Sequence, residues 1–244
     1  MIFRPFYYFD TGCAAYLLGC GGKGYAAVVD PQDRDLDSYV EFGAAKGMRI
    51  SHVIDTHIHA DHVSGGRSLA ERTGAAYCLH ESAQVAFPFS ALRDGQDIAI
   101  GNVTAKVLHT PGHTPESICL LITDTTRSQA PWFVLTGDTL FVGSVGRPDL
   151  GEHMEQSARK LYRSLRTKIL PLPDNIEAYP AHFSGSVCGR GMSGKPMSTV
   201  GYEKRFNPVL CAASEDRFVT AITETILPEP SHKAEIISRN QGIE

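Results

Sequence analysis

The stretch "DTHIHADH", residues 55–62, sets three histidines and two aspartates within eight positions. Histidine is the side chain whose ordinary pKa lies nearest neutrality, and its neutral ring is the commonest protein metal ligand. No apolar core needs such a cluster, so the chain around it must be built to hold it. The short apolar run in "HVIDTH" reads as a strand that delivers the cluster at its C-terminal end. Three more strand-like runs end in the same way: "TAKVLHTPGH" on His113, "WFVLTGD" on Asp138 and "IEAYPAH" on His182. Four metal-capable motifs at four strand ends point to one site, built from loops at a sheet edge.

The remaining pattern supplies the scaffold. "FRPFYYFD", "AAYLLGC", "YAAVVDP" and "SICLLIT" read as strands, with a glycine-rich turn at "GCGGKG". Leu36, Tyr39, Val40 and Ala44 fall at helical spacing, with Asp33 or Asp35 as N-cap. "SGGRSLAERTG" reads as a helix, as do the sets Ala158, Leu161, Tyr162, Leu165 and Phe218, Ile222, Ile226. Two packed sheets with helices outside, an α+β arrangement, would bury these faces. Residues 1–227 are expected to form one catalytic domain; 228–244 are proline-led and polar and are expected to be a loosely held tail.

Composition narrows the function classes. There are 27 acidic against 23 basic residues, a net charge of −4, which argues against a nucleic-acid partner. No apolar run approaches the ~20 residues that span a bilayer. The N-terminus lacks a charged start followed by an apolar core, so a cytoplasmic location is expected. The six cysteines are scattered without a CxxC pair, which fits reduced thiols. His52, His80, His153 and His232 read as ordinary histidines; His109, four residues before His113, is a candidate to line the site.

"THIHADH", "PGHTP", "TGDTLF" and the late His182 resemble the metallo-β-lactamase superfamily, over about residues 10–210. That resemblance implies an αββα sandwich with the metal site at one edge of the two sheets. It leaves two ligand schemes open. In the glyoxalase II scheme, His57, His59 and His113 hold one zinc, Asp61, His62 and His182 hold a second, and Asp138 bridges them to run a hydrolysis. In the other, His57, His113 and Asp138 form the facial triad of a single Fe(II). His59, Asp61, His62 and His182 would then orient the ligands.

The flanking sequence favours the second scheme. Arg147-Pro148-Asp149 after "TLFVGSVG", and "AHFSGSVCGRGMSGKPMSTVGYEKRFNP", resemble the persulfide dioxygenases that occur fused to rhodanese domains. The chain also has too few residues after His182 for the helical domain of glyoxalase II. The resemblance implies a dioxygenase that takes a small thiol persulfide, of glutathione or a similar carrier, and O₂ to thiol and sulfite. It implies a stand-alone homo-oligomer, dimer or tetramer, with a separate rhodanese as candidate partner. The rivals are a glyoxalase II-like di-metal thioester hydrolase and a sulfur-relay subunit working through Cys188. Cys188 lies among Gly185, Gly189, Gly191 and Gly194, near Arg190 and Lys195. An exposed thiol there would be the most reactive of the six, with a depressed pKa. For the carrier's anionic groups Arg147 is the first candidate and Lys204 and Arg205 weaker ones; Tyr179 and Tyr202 are candidates to stack on it or donate a hydroxyl.

Overall fold

The structure is a computed structural model and describes residues 1–151, 153–224 and 228–243. In "CAAYLLGC", residues 13–20, every residue is buried. Tyr16 and Leu18 enter one apolar cluster, while their neighbours Ala15 and Leu17 enter another. Successive side chains of a strand face opposite ways, so a strand apolar on both faces needs cover on both. The same alternation recurs in "ICLLITD", where Ile118, Leu120 and Ile122 face one cluster and Cys119 and Leu121 another.

Two six-stranded sheets meet this demand. The first runs in sequence order: β1 (Ile2–Tyr8), β2 (Cys13–Cys20), β3 (Tyr25–Val29), β4 (Arg49–Ile54), β5 (Ala76–His80) and β6 (Ser90–Leu92). From β3 to β6 its pairs are parallel. The rest of the chain gives β7 (Asp97–Ile100), β8 (Val103–His109), β9 (Ile118–Asp124), β10 (Phe133–Gly137), a ribbon of β11 (Leu140–Phe141) with β12 (Ser144–Val145), then β13 (Glu177–Pro180) and β14 (Ser198–Thr199). The second sheet has the order β14-β13-β10-β9-β8-β7. The helices are α1 (Leu36–Ala45), α2 (Gly66–Thr73), α3 (Met154–Ser164), α4 (Val200–Phe206), α5 (Glu215–Thr223) and α6 (Lys233–Gln241). Tyr39 of α1 and Leu69 of α2 cover the outer face of the first sheet; Leu161 of α3 and Phe218 of α5 cover that of the second. This is the expected αββα sandwich.

β4, β8, β10 and β13 each run into one of the four polar motifs at their C-terminal ends. The two sheets are tied together at that edge: Ala14 N–H donates to Ala181 O at 2.7 Å and Phe183 N–H to Gly12 O at 2.8 Å.

The short strands β5, β6, β7 and β14 were not evident from the sequence pattern, which is weak over so few residues. The tail departs most from expectation. Residues 233–241 form a helix packed back on the body, with Asn240 buried and Ile237 against the outer core of the first sheet. Its composition reads as polar because so little of it is buried. Ile226 and the boundary at residue 227 lie outside the described residues. No described helix is long and apolar enough to cross a membrane.

Leu120 is fully buried between the sheets. Leu120→Ala should lower unfolding free energy by about 2–5 kcal/mol in urea titration, with the denaturant slope unchanged.

Candidate metal centre

His57, His113 and Asp138 are buried, and one ligand atom from each lies within 4.8 Å of the others. Asp138 Oδ2 stands 3.3 Å from His113 Nε2 and 3.7 Å from His57 Nε2. The opposite atom of each side chain is already held. His57 Nδ1 pairs with Thr56 Oγ1 at 2.9 Å, and that hydroxyl donates on to Asp30. His113 Nδ1 donates to the carbonyl of Arg147 at 2.9 Å. Asp138 Oδ1 accepts from His182 Nδ1 at 2.6 Å. With Nδ1 of both histidines held as a donor, each Nε2 presents its lone pair. His57 Nε2, His113 Nε2 and Asp138 Oδ2 are buried with no hydrogen-bond partner in the protein. Three converging buried acceptors would cost several kcal/mol unsatisfied; a bound cation satisfies all three.

The electrostatics agree. Burial, reinforced by His59, keeps the pKa of His57 well below its ordinary value, and burial lowers that of His113. Both are therefore neutral, the ligating form. Burial alone would raise Asp138, but the charged His182 bonded to it pulls its carboxyl below the usual range. Gly146 lets the ribbon approach this group: a Cβ there would sit 1.9 Å from the carbonyl oxygen of Asp138.

The other motif members form an adjoining set. His182 spends both nitrogens on carboxylates, Nδ1 on Asp138 and Nε2 on Asp61 at 3.0 Å. Burial opposes a charge on His182, yet Asp138 and Asp61 hold its pKa well above the ordinary value. His62 Nδ1 pairs with the same Asp61 oxygen at 3.1 Å, and His59 Nε2 with Asp30 at 3.3 Å. Cys13, Asp61, His62 and His182 also offer ligand atoms within 4.8 Å of one another. His59 Nδ1, Asp61 Oδ1 and His62 Nε2 have no partner.

Several contributors escaped the sequence reading. Asp30, in a left-handed conformation, accepts from Thr56 N–H at 2.7 Å and pairs with His59. It too follows an apolar strand, so the signal was present in "YAAVVDP". Buried Glu116 accepts from Ile58 N–H at 2.9 Å. A cavity of about 200 Å³ lies directly beside the site, lined by Ile58, Ala60, His113, Glu116, Leu150 and Ile237 among others. A larger one, about 420 Å³, lies by Gly146 and Arg147 and reaches none of the three triad side chains.

The remaining candidates have these surroundings. The Arg147 guanidinium is buried, bound through two 2.7 Å contacts to Asp149, and donates to the carbonyls of Val187 and Pro228. It fastens loops together and serves the site through its backbone carbonyl. Tyr179 packs against Phe3, Tyr16 and Phe133 and donates its hydroxyl to Glu177. Tyr202 is exposed on α4 against Phe206; Lys204 and Arg205 pair with Asp174. His109 stacks on His80 at 3.8 Å and pairs with the carbonyl of Pro115.

Cys188 is 1% exposed, not an open loop thiol. Its segment folds inward, with Gly189 against Phe141. Burial pushes the thiol up to about 12; His182 opposes this, and Asp61 and Asp138 add to it. The protonated thiol sits within ligand reach of Asp138 and His182. Cys211 is the exposed cysteine. Brief iodoacetamide treatment should therefore label Cys211 first and leave Cys188 intact until the protein is unfolded, as read by mass-spectrometric mapping. Early labelling of Cys188 in the native protein would contradict this burial.

Comparison with known proteins agrees with this geometry. The sequence pattern of the Metallo-beta-lactamase superfamily matches residues 9–182. Persulfide dioxygenase ETHE1, mitochondrial, of Bos taurus is 31% identical over 218 residues, 88% of this chain and 78% of its own. A probable hydroxyacylglutathione hydrolase, glo2, of Schizosaccharomyces pombe is 28% identical over 82% of this chain and 83% of its own. Among solved structures, a metallo-beta-lactamase from Staphylococcus aureus superposes with a TM-score of 0.91 at 37% identity, covering 98% of this chain and 72% of that one. ETHE1 from Myxococcus xanthus superposes with a TM-score of 0.86 at 29% identity, covering both chains completely. With its four motifs gathered at one edge of an αββα sandwich, the chain belongs to the metallo-beta-lactamase superfamily.

Proposed function

We propose that the chain is a mononuclear non-haem iron(II) persulfide dioxygenase. The reaction is RSSH + O₂ + H₂O giving RSH, sulfite and two protons, with RSH a small thiol such as glutathione. One observation carries the reading. His57 Nε2, His113 Nε2 and Asp138 Oδ2 are buried, unpaired and convergent, while His182, which a second ion would need, has both nitrogens bound to carboxylates. Two histidines and one carboxylate are the usual donor set of Fe(II) oxygenases. The similarity to proteins named persulfide dioxygenase supports the substrate class.

When bound, iron(II) supplies coordination positions for persulfide and O₂ and the redox chemistry between them. The protein's part is orientation. Thr56 and the Arg147 carbonyl fix the ring planes and tautomers of His57 and His113. Positively charged His182 keeps its Nδ1 proton against Asp138 Oδ1, which aims Oδ2 at the two histidines. Such neighbours of ligands set both their direction and their basicity. The largely apolar cavity beside His113 takes the persulfide end and limits water there.

A second reading, a di-metal thioester hydrolase, has its own support in the unpaired His59 Nδ1, Asp61 Oδ1 and His62 Nε2 and in the similarity to hydroxyacylglutathione hydrolases. Metal analysis after anaerobic purification separates the two. About one iron per chain is expected for a single facial triad, with O₂ uptake that depends on added persulfide. Two tightly held zinc ions with thioesterase activity and no O₂ uptake would overturn the dioxygenase reading.

Ligand variants give a sharper ranking. His113→Ala and Asp138→Ala should each abolish iron binding. His182→Ala should keep most of the iron yet lose roughly 10–100-fold in activity, as neighbours of ligands typically do. If His182→Ala strips metal as completely as His113→Ala, the two-ion scheme is favoured.

A further inference from the structure

The loop from Asp55 to Gly65 contains no helix and, one bridge at Ser64 apart, no strand pairing. Its shape therefore depends on what its backbone groups are bonded to. Its first half is held by Asp30 at Thr56 and by Glu116 at Ile58. Its second half is held from the far end of the chain. The buried amide of Asn240, on α6, donates to the carbonyls of His59 and His62, both at 2.9 Å, and accepts from Ser64 N–H at 2.9 Å. An asparagine amide has two N–H donors and a carbonyl acceptor; here both kinds are spent on the segment that contains Asp61 and His62.

Helical spacing puts more of α6 at the site. Ile237 and Gln241, four residues apart and so on one face, line the cavity that contains His113, Ile58 and Glu116. At about 200 Å³ that cavity is below the ~300–1,000 Å³ of pockets that enclose a drug-sized ligand, so it suits only the reacting end of a carrier. The carbonyl of Gln241 accepts from Ala86 N–H at 2.8 Å, which fastens the end of the helix.

We propose that α6 is a working part of the metal centre: Asn240 is a positioning residue that fixes the ligand loop, so metal affinity depends on the docking of this helix. The inference rests on the metal reading of the site but not on the dioxygenase reading. Without Asn240 the carbonyls of His59 and His62 lose their partner and the loop samples other shapes. His57, Asp61 and His62 then spend less time in register with His113, Asp138 and His182.

Two measurements on the full chain test this. The first is hydrogen–deuterium exchange with wild type, Asn240→Ala and Asn240→Asp. Asn240→Asp keeps an acceptor for Ser64 but sets a carboxylate oxygen against two carbonyls, and it carries the test if Asn240→Ala fails to fold. Uptake should rise in peptides covering 58–65 and stay unchanged in β9, residues 118–124. The second is competition of iron(II), and separately zinc(II), against a chelator. Both variants should bind each metal about 10–100-fold more weakly, the usual loss when a group supporting metal ligands is removed. Unchanged metal affinity, or uptake that rises equally in β9, would overturn the proposal. Absence of O₂ uptake by wild type would sink the dioxygenase reading and leave both measurements standing.

Discussion

The contact between His182 and Asp138 is the interaction on which the site depends. It joins β13 to β10 across a buried 2.6 Å hydrogen bond and leaves only one oxygen of Asp138 for anything else. A buried carboxylate beside a protonated imidazole stays ionised, because each partner supplies the charge that lost hydration would otherwise oppose. The free oxygen then faces two neutral imidazoles whose other nitrogens are bonded. Ligand geometry is thus set by hydrogen bonds that precede the metal, a condition for tight and selective binding.

Those bonds come from distant parts of the chain, which explains why the fold needs all four strand ends in one place. The Arg147 carbonyl reaches His113 only because Gly146 has no Cβ to strike Asp138. Arg147 in turn is locked by Asp149 and by carbonyls of the glycine-rich segment and the tail. Tail, glycine-rich segment and ligand loop are mechanically linked, although none of them is regular strand.

The donor inventory offers ligand atoms for either one ion or two. The atoms for a second ion are all here: Asp61 Oδ1 and His62 Nε2 are unpaired, while His182 Nε2 is bonded to Asp61 Oδ2. A single divalent ion held by two neutral histidines and one carboxylate keeps a net positive charge, which suits an anionic sulfur ligand. Two ions sharing a bridging carboxylate suit an activated water.

Much of this was legible in the sequence. Asp55–His62, His113, Asp138 and His182 are polar residues directly after apolar runs, and the unbroken apolar run "CAAYLLGC" needs cover on both faces; these local signals point to two packed sheets, a site at one edge and the candidate ligands, and the resemblance carried by the motifs implies the αββα sandwich. What only the tertiary structure decided is how each polar group is partnered. A guanidinium that reads as a substrate contact is consumed by Asp149 in the case of Arg147. A thiol among glycines and cations becomes a buried, protonated group in the case of Cys188. A polar tail becomes a docked helix, held by Ile237 against the core, by the Gln241 carbonyl and by the bonds of Asn240 to loop carbonyls some 180 residues earlier. Periodicity reports which face of an element is apolar, and so it finds cores and strand ends. Burial and hydrogen-bond pairing between residues far apart leave no periodic trace, because they depend on where the chain returns.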